Sequence, residues 1–181
     1  GYGGGENFYD LGEGEEAEPV SVQFLTTPDG FTFTPAASGQ AVVHTGGGSE
    51  TDFAVLEDGT LVAVMRNELG DAGGFGSKVC RAEAGAWANW RCAYDPRKYD
   101  SPLVFSHLDR VFLLARRNVT ETGNYDLGRT DLDQRERYFE YQTDYWSKAK
   151  RCALWEVDPV ALTVDFVFDL PSAGDTCFPG L

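Results

Sequence analysis

The sequence is short of positive charge. Fifteen Lys and Arg stand against 29 Asp and Glu, a formal net charge of −14, which argues against nucleic acid or an anionic membrane surface as a partner and leaves glycans, cations and basic proteins. No apolar stretch approaches the ~18 residues of a membrane-spanning helix, so no membrane insertion is expected. The two histidines, His44 and His107, are far apart and lack metal-ligand spacing, so neither a metal nor a cofactor is expected. None of the four cysteines sits in a C-x-x-C pair. Together with the sequon Asn118-Val119-Thr120 they favour an oxidising, secretory history, with the protein secreted or at the cell surface and a glycan expected on Asn118. The chain carries neither an initiator Met nor a signal peptide, and Leu181 falls inside an apparent strand. It therefore reads as a segment of a longer polypeptide.

What is present in quantity is repetition. Tyr99 to Arg117 (YDSPLVFSHLDRVFLLARR) places two apolar runs, Leu103 to Phe105 and Val111 to Ala115, either side of Ser106 to Asp109. That is a β-hairpin, expected to be buried on both faces. Fifty positions earlier, without a gap, Glu50 to Arg66 (ETDFAVLEDGTLVAVMR) repeats the pattern around Asp58-Gly59, a strong turn signal. Glu50 falls on Asp100, Val55 on Phe105, Leu61 on Val111 and Arg66 on Arg116. A third copy opens at Gly174-Asp175-Thr176-Cys177-Phe178-Pro179. Repeats of roughly 40 to 50 residues, each a buried hairpin followed by a more polar strand pair, predict an all-β chain built of four-stranded antiparallel β-propeller blades.

Residues 1–19 are Gly- and Glu-rich with few apolar side chains, a composition that reads as a mobile linker. Residues 20–49 follow as outer strands of a preceding blade, with Val20, Val22, Phe24, Phe31 and Phe33 alternating around Pro28-Asp29-Gly30. Residues 50–98 form one blade, its hairpin followed by a loop over Asn67 to Gly76 and strands at Ser77 to Ala82 and Trp87 to Tyr94. Cys80 and Cys92 lie on those neighbouring strands, where a bridge is geometrically cheap. Residues 99–173 form a second blade, with a long insertion over 118–150 and strands at Cys152 to Val157 and Leu162 to Leu170. Residues 174–181 start the next, and a Cys152–Cys177 bridge would tie it on. In the insertion, Leu132, Phe139 and Trp146 are seven apart and Asp131 and Gln134 form a possible cap, which suggests a short helix; an extended aromatic arm fits the same residues.

Antiparallel geometry puts the start of each hairpin beside its end. Glu50 should thus neighbour Arg66, and Asp100 should neighbour Arg116, on one rim with Asp175. The loops after each second strand arrive at the same rim, bringing Tyr138, Tyr141 and Trp146. Arginines bind carboxylates bidentately, carboxylates serve as general acids or bases, and aromatic faces pack on sugar rings. This chemistry suits an acidic sugar. Acid–arginine pairs that simply tie neighbouring blades together, and aromatics that simply pack the loop, explain the same residues.

With these residues in view, the chain resembles the sialidase-like, BNR-repeat β-propellers, commonly six-bladed. The likeness rests on the two hairpins, on Gly174 to Pro179, and on Thr27-Pro28-Asp29-Gly30-Phe31-Thr32-Phe33, which looks like an Asp-box one residue short and without its Trp. The resemblance implies a secreted sialidase-type glycoside hydrolase with arginines for the substrate carboxylate, a Tyr nucleophile activated by a Glu, and an Asp acid/base. Glu50, Asp52, Arg66, Asp100, Arg116 and Asp175 are then the catalytic candidates, and Tyr138, Tyr141 and Trp146 the substrate-binding ones. Its partners would be a glycan or glycoprotein and the remaining blades of the same polypeptide. The alternative is a non-catalytic propeller that binds glycans or builds an extracellular assembly.

Overall fold

In the computed structural model, which describes residues 1–7, 10–37 and 39–180, Leu61, Ala63 and Met65 point to one side of their strand and Val62 and Val64 to the other, and all five are fully buried. A strand that is apolar on both faces must be covered on both. Two neighbouring sheets do this.

The described residues form β1 (Tyr2–Gly4), β2 (Val20–Gln23), β3 (Leu25–Thr26), β4 (Thr34–Pro35), β5 (Val42–Gly46), β6 (Thr51–Val55), β7 (Leu61–Asp71), β8 (Gly74–Ala82), β9 (Arg91–Asp95), β10 (Asp100–His107), β11 (Arg110–Asn118), α1 (Gln134–Ser147), β12 (Lys150–Asp158) and β13 (Thr163–Asp169). Among the described residues the fold is all-β apart from α1. Strands β6 to β9 and β10 to β13 make two four-stranded antiparallel sheets in sequence order, β1-β2-β5 make a three-stranded sheet, and β3-β4 a small ribbon.

The sheets stack in one sense. Leu61, Ala63 and Met65, with Cys80 and Ala82, pack on Val22 of the first sheet and on Phe24 just after β2. Ala54, Val62, Val64 and Val79 pack on Val111, Leu113, Ala115 and Trp155 of the last. Because Val111, Leu113 and Ala115 repeat Leu61, Ala63 and Met65, the same face looks backwards in both four-stranded sheets. Phe112 and Leu114, the repeats of Val62 and Val64, look forward beside Phe105, whose ring stacks on Phe112 at 5.6 Å, and beside Phe168, which is 46% exposed. The second hairpin is thus buried on one face and half open on the other. The expectation of burial on both faces fails here because, among the described residues, no further four-stranded sheet covers it.

The ungapped repeat also slips by one residue in the first strand of each hairpin. Val55 pairs with Leu61, but Ser106, not Phe105, pairs with Val111, because the turn at 108–109 is shorter than the one closed by the Leu56 N–H donating to the Thr60 carbonyl. A bulge between Asp100 and Leu103 restores the register. Asp100 therefore lies opposite Arg116, while Arg66 donates its N–H to the Glu50 carbonyl. Ser101, at φ 48° in the bulge, donates its N–H to Glu50 Oε2 at 2.9 Å.

Other elements differ from the sequence reading for local reasons. The expected loop over Asn67 to Gly76 is mostly strand, since β7 and β8 run on to a tight turn in which the Gly73 N–H donates to Asp71 Oδ1 at 2.8 Å. Trp87 lies outside β9, its indole N–H donating to the Gly59 carbonyl at 2.9 Å. In residues 1–19, read as a mobile linker, β1 pairs with β2, Leu11 is buried, and Arg135 donates to the Leu11 carbonyl at 2.6 Å. No strand forms over 170–180, and Leu181 lies outside the described residues. Both disulfides, Cys80–Cys92 and Cys152–Cys177, are present.

The insertion folds as the helix rather than the arm. Its cap is Asp133, not Asp131: the Glu136 N–H donates to Asp133 Oδ1 at 2.8 Å, and Glu136 Oε2 accepts the Asp133 N–H at 3.0 Å, a reciprocal box that satisfies two otherwise orphaned donors. Its buried stripe is Tyr138, Tyr141, Gln142 and Tyr145, packed with Leu69, Phe75 and Tyr125. Phe139 and Trp146 face out, 46% and 73% exposed.

Candidate functional site

The starts and ends of the two large hairpins meet in a ladder of charge. Side chains two apart share a face of a strand, so Glu68 lies alongside Arg66 on β7, while Lys98 reaches the ladder from the connection just before β10. Arg66 Nη1 is 3.2 Å from Glu50 Oε2 and 3.4 Å from Asp100 Oδ1, and its Nη2 is 3.1 Å from Glu68 Oε1. Lys98 Nζ is 2.6 Å from Glu68 Oε2 and 3.5 Å from Asp100 Oδ1. Arg116 is 3.7 Å from Asp100 Oδ2 and 2.7 Å from Asp175 Oδ1. Glu50, Arg66, Asp100, Arg116 and Asp175 therefore alternate in sign along one line, each arginine bridging the opening acid of its own unit to that of the next.

Asp100 is the centre of this line and only 4% exposed. A carboxylate taken so far out of water is tolerated only with paired charges and hydrogen bonds around it, and the Tyr145 hydroxyl completes its shell by donating to Oδ2 at 2.6 Å. Burial and the neighbouring Asp100 push the Tyr145 phenol well above its ordinary pKa, so it remains a protonated donor. Burial alone would pull Arg66 down, but Glu68, Asp100 and Glu50 outweigh it and push the guanidinium up. Lys150, whose ammonium lies 4.1 Å from the Tyr145 ring, is pulled down by burial and by Arg116 and Lys98, against Asp100.

Above the ladder lies a cleft of about 770 Å³. Arg66, Lys98, Asp100, Arg116 and Tyr145 face it from below, Phe139 and Trp146 from α1, and Lys150 and Arg151 from the start of β12. Six of the chain's fifteen Lys and Arg line it, against three of its 29 Asp and Glu. On a chain of net −14 the cleft is a local concentration of positive charge with aromatic faces at its lip.

Of the residues singled out from sequence, Arg66, Asp100, Arg116, Asp175, Tyr138 and Trp146 line this cleft. Glu50 belongs to the ladder but lies outside the cleft wall. Asp52 is elsewhere, its Oδ2 accepting the Val104 N–H at 2.7 Å to tie β6 to β10. Tyr141 is turned away from the cleft, packed against Phe75 and Tyr125, with its hydroxyl accepting the Arg129 N–H at 2.9 Å. Asn118, expected to be accessible, is 2% exposed at the end of β11, with its side-chain amide donating to the Asn124 carbonyl at 3.3 Å. Its amide is therefore buried rather than accessible. Sequence reasoning passed over Glu68, Lys98, Gln142, Tyr145, Lys150 and Arg151. The two-residue spacing from Arg66 along its strand would have found Glu68, and the 3- and 4-residue spacing of Tyr138, Tyr141 and Tyr145 the helix face that carries Gln142 and Tyr145.

No known protein family, curated protein or solved structure matches the chain. Among the described residues no group of three His, Cys, Asp or Glu side chains could hold a metal ion, and no helix is long and apolar enough to cross a membrane. The two disulfides suit an oxidising compartment.

Proposed function

We propose that the chain is part of a sialidase-like β-propeller, secreted or displayed at the cell surface, whose cleft binds an acidic sugar of a glycan or glycoprotein. The observation that carries this reading is the cationic cleft with exposed Trp146 and Phe139 at its lip, on a protein that is otherwise strongly acidic. A carboxylated sugar needs both features, a charge to meet its acid and an aromatic face to meet its ring. The propeller part of the proposal draws support from the stacking sense. The forward face of β6 to β9 is covered by β10 to β13, and the equivalent forward face of β10 to β13, with Phe105, Phe112 and Phe168, is where a further blade of the same polypeptide would pack.

Hydrolysis is the stronger form of the proposal, and the Tyr145–Asp100 contact is the observation in its favour. Asp100 is so fully engaged by Arg66, Lys98, Arg116 and Tyr145 that binding, rather than acid/base chemistry, is the better-supported role of the ladder. A non-catalytic glycan-binding propeller in an extracellular assembly is therefore preferred. Isothermal titration of sialyllactose and lactose into the folded protein separates these readings. Binding of the acidic sugar alone, weakened by added salt and without release of lactose, is the expected result; release of lactose would establish the hydrolase, and equal indifference to both sugars would remove the proposal.

A further inference from the structure

We infer that Arg116 is the cleft residue that receives the ligand's carboxylate, and that Asp175 of the chain itself occupies that place until the ligand displaces it. The inference rests on the reading of the cleft as an acidic-sugar site and says where in it the acid is held.

The two arginines of the ladder are alike in position and unlike in freedom. Arg66 has every edge engaged: Nε donates to Ser49 Oγ at 3.0 Å, Nη1 faces Glu50 and Asp100, and Nη2 faces Glu68. Its acids are held in turn, since Asp100 is buried under Tyr145 and Glu68 is shared with Lys98 and Gln142. An incoming carboxylate finds no donor there.

Arg116 is different. Nε donates to the Thr176 carbonyl at 2.8 Å, Nη1 lies at the longer distance of 3.7 Å from Asp100, and Nη2 is taken by Asp175 at 2.7 Å. The Asp175 side chain is 78% exposed, so nothing but this one contact opposes its return to water. Exposed ion pairs of this kind hold weakly. Exchange for a ligand carboxylate leaves no buried charge unpaired, because one carboxylate replaces another on the same guanidinium. The segment need not unfold to allow it: Cys177 is anchored to Cys152, which lies opposite Arg116 in the sheet, and the Phe178 ring stays 5.2 Å from the guanidinium. Only the Asp175 side chain has to swing aside.

The test is a titration of N-acetylneuraminic acid and its methyl ester into the wild type, Asp175→Asn, and Asp175→Asn combined with Arg116→Lys, each verified as folded by circular dichroism. Removing the competing carboxylate should tighten binding of the acid by about fivefold, the equivalent of one exposed ion pair, leave the ester unchanged, and lose the gain when Arg116 becomes a lysine that cannot bind bidentately. Equal affinity of wild type and Asp175→Asn for the acid would overturn the inference and leave the acidic-sugar site standing. A gain that survives Arg116→Lys would overturn the assignment to Arg116. No binding of the acid by any of the folded proteins would overturn the site and the inference together.

Discussion

Asp100→Asn removes one negative charge from the centre of the ladder and keeps its shape. Three cations, Arg66, Lys98 and Arg116, lie 3.4, 3.5 and 3.7 Å from its carboxylate, and Tyr145 donates to it at 2.6 Å. Breaking a buried ion pair by removing one partner costs about 3 to 5 kcal/mol. Glu68 and Glu50 remain to hold Lys98 and Arg66, which puts the expected loss near the lower end, about 3 kcal/mol. At roughly 2 to 4 °C per kcal/mol for a chain of this size, the melting temperature should fall by roughly 6 to 12 °C. Thermal and urea unfolding followed by circular dichroism measures this directly. Tyr145→Phe in the same background should add less than it costs alone, by at least ~0.5 kcal/mol, since the two groups share one hydrogen bond. A fall under about 2 °C, or strict additivity with Tyr145→Phe, would refute the account of Asp100 as the hub of a buried network.

Three further outcomes follow from the structure. Burial alone would raise Asp71, but the His44 ring 3.7 Å away and hydrogen bonds from Lys78 and the Gly73 N–H hold it at about 2 against an ordinary 3.8. Stabilisation from a depressed carboxylate is full above its unfolded value and lost as pH falls through its folded one, so Asp71→Asn should cost about 1 to 2 kcal/mol near neutral pH, and the gap to wild type should close between about pH 4 and pH 2; a gap that persists at about pH 2 would contradict it. Serine at both Cys152 and Cys177 should cost about 2 to 4 kcal/mol by freeing the 174–180 segment, and non-reducing peptide mapping should recover Cys80 with Cys92 and Cys152 with Cys177, a Cys80–Cys152 peptide being the contrary result. Folded protein from a glycosylating host should show an unmodified Asn118 by intact mass, because a glycan on a residue 2% exposed requires the end of β11 to open.

Much of the strand framework could be read from the sequence because it rests on period-two alternation and on turn chemistry, which are local. The run Leu61 to Met65 announces burial on both faces, and Cys80 and Cys92 pair because their strands are joined by a short connection. The contact between Glu50 and Arg66, and that between Asp100 and Arg116, follow from antiparallel pairing. Three things were not legible. A one-residue change of turn length and the compensating bulge at Ser101 cancel in an ungapped alignment, so the slip at Phe105 leaves no trace in the sequence. The face that α1 buries is not given by the heptad Leu132, Phe139, Trp146, whose two aromatics are exposed; tyrosines that keep a polar tip take the buried side and bring Tyr145 to Asp100. Asn118 reads as accessible because it follows the end of an expected strand, at the turn into a loop expected to be exposed; its burial comes from a turn at Gly123 and Asn124 that folds back over it.

The central claim, that the cleft above the ladder takes an acidic sugar, is tested most directly by determining the structure of the protein crystallised with sialyllactose. The account predicts the sugar ring against Trp146 or Phe139, with its carboxylate on Arg116 and Asp175 displaced. A well-ordered sugar elsewhere on the surface, or a clear cleft with Asp175 still on Arg116 at saturating ligand, would contradict it.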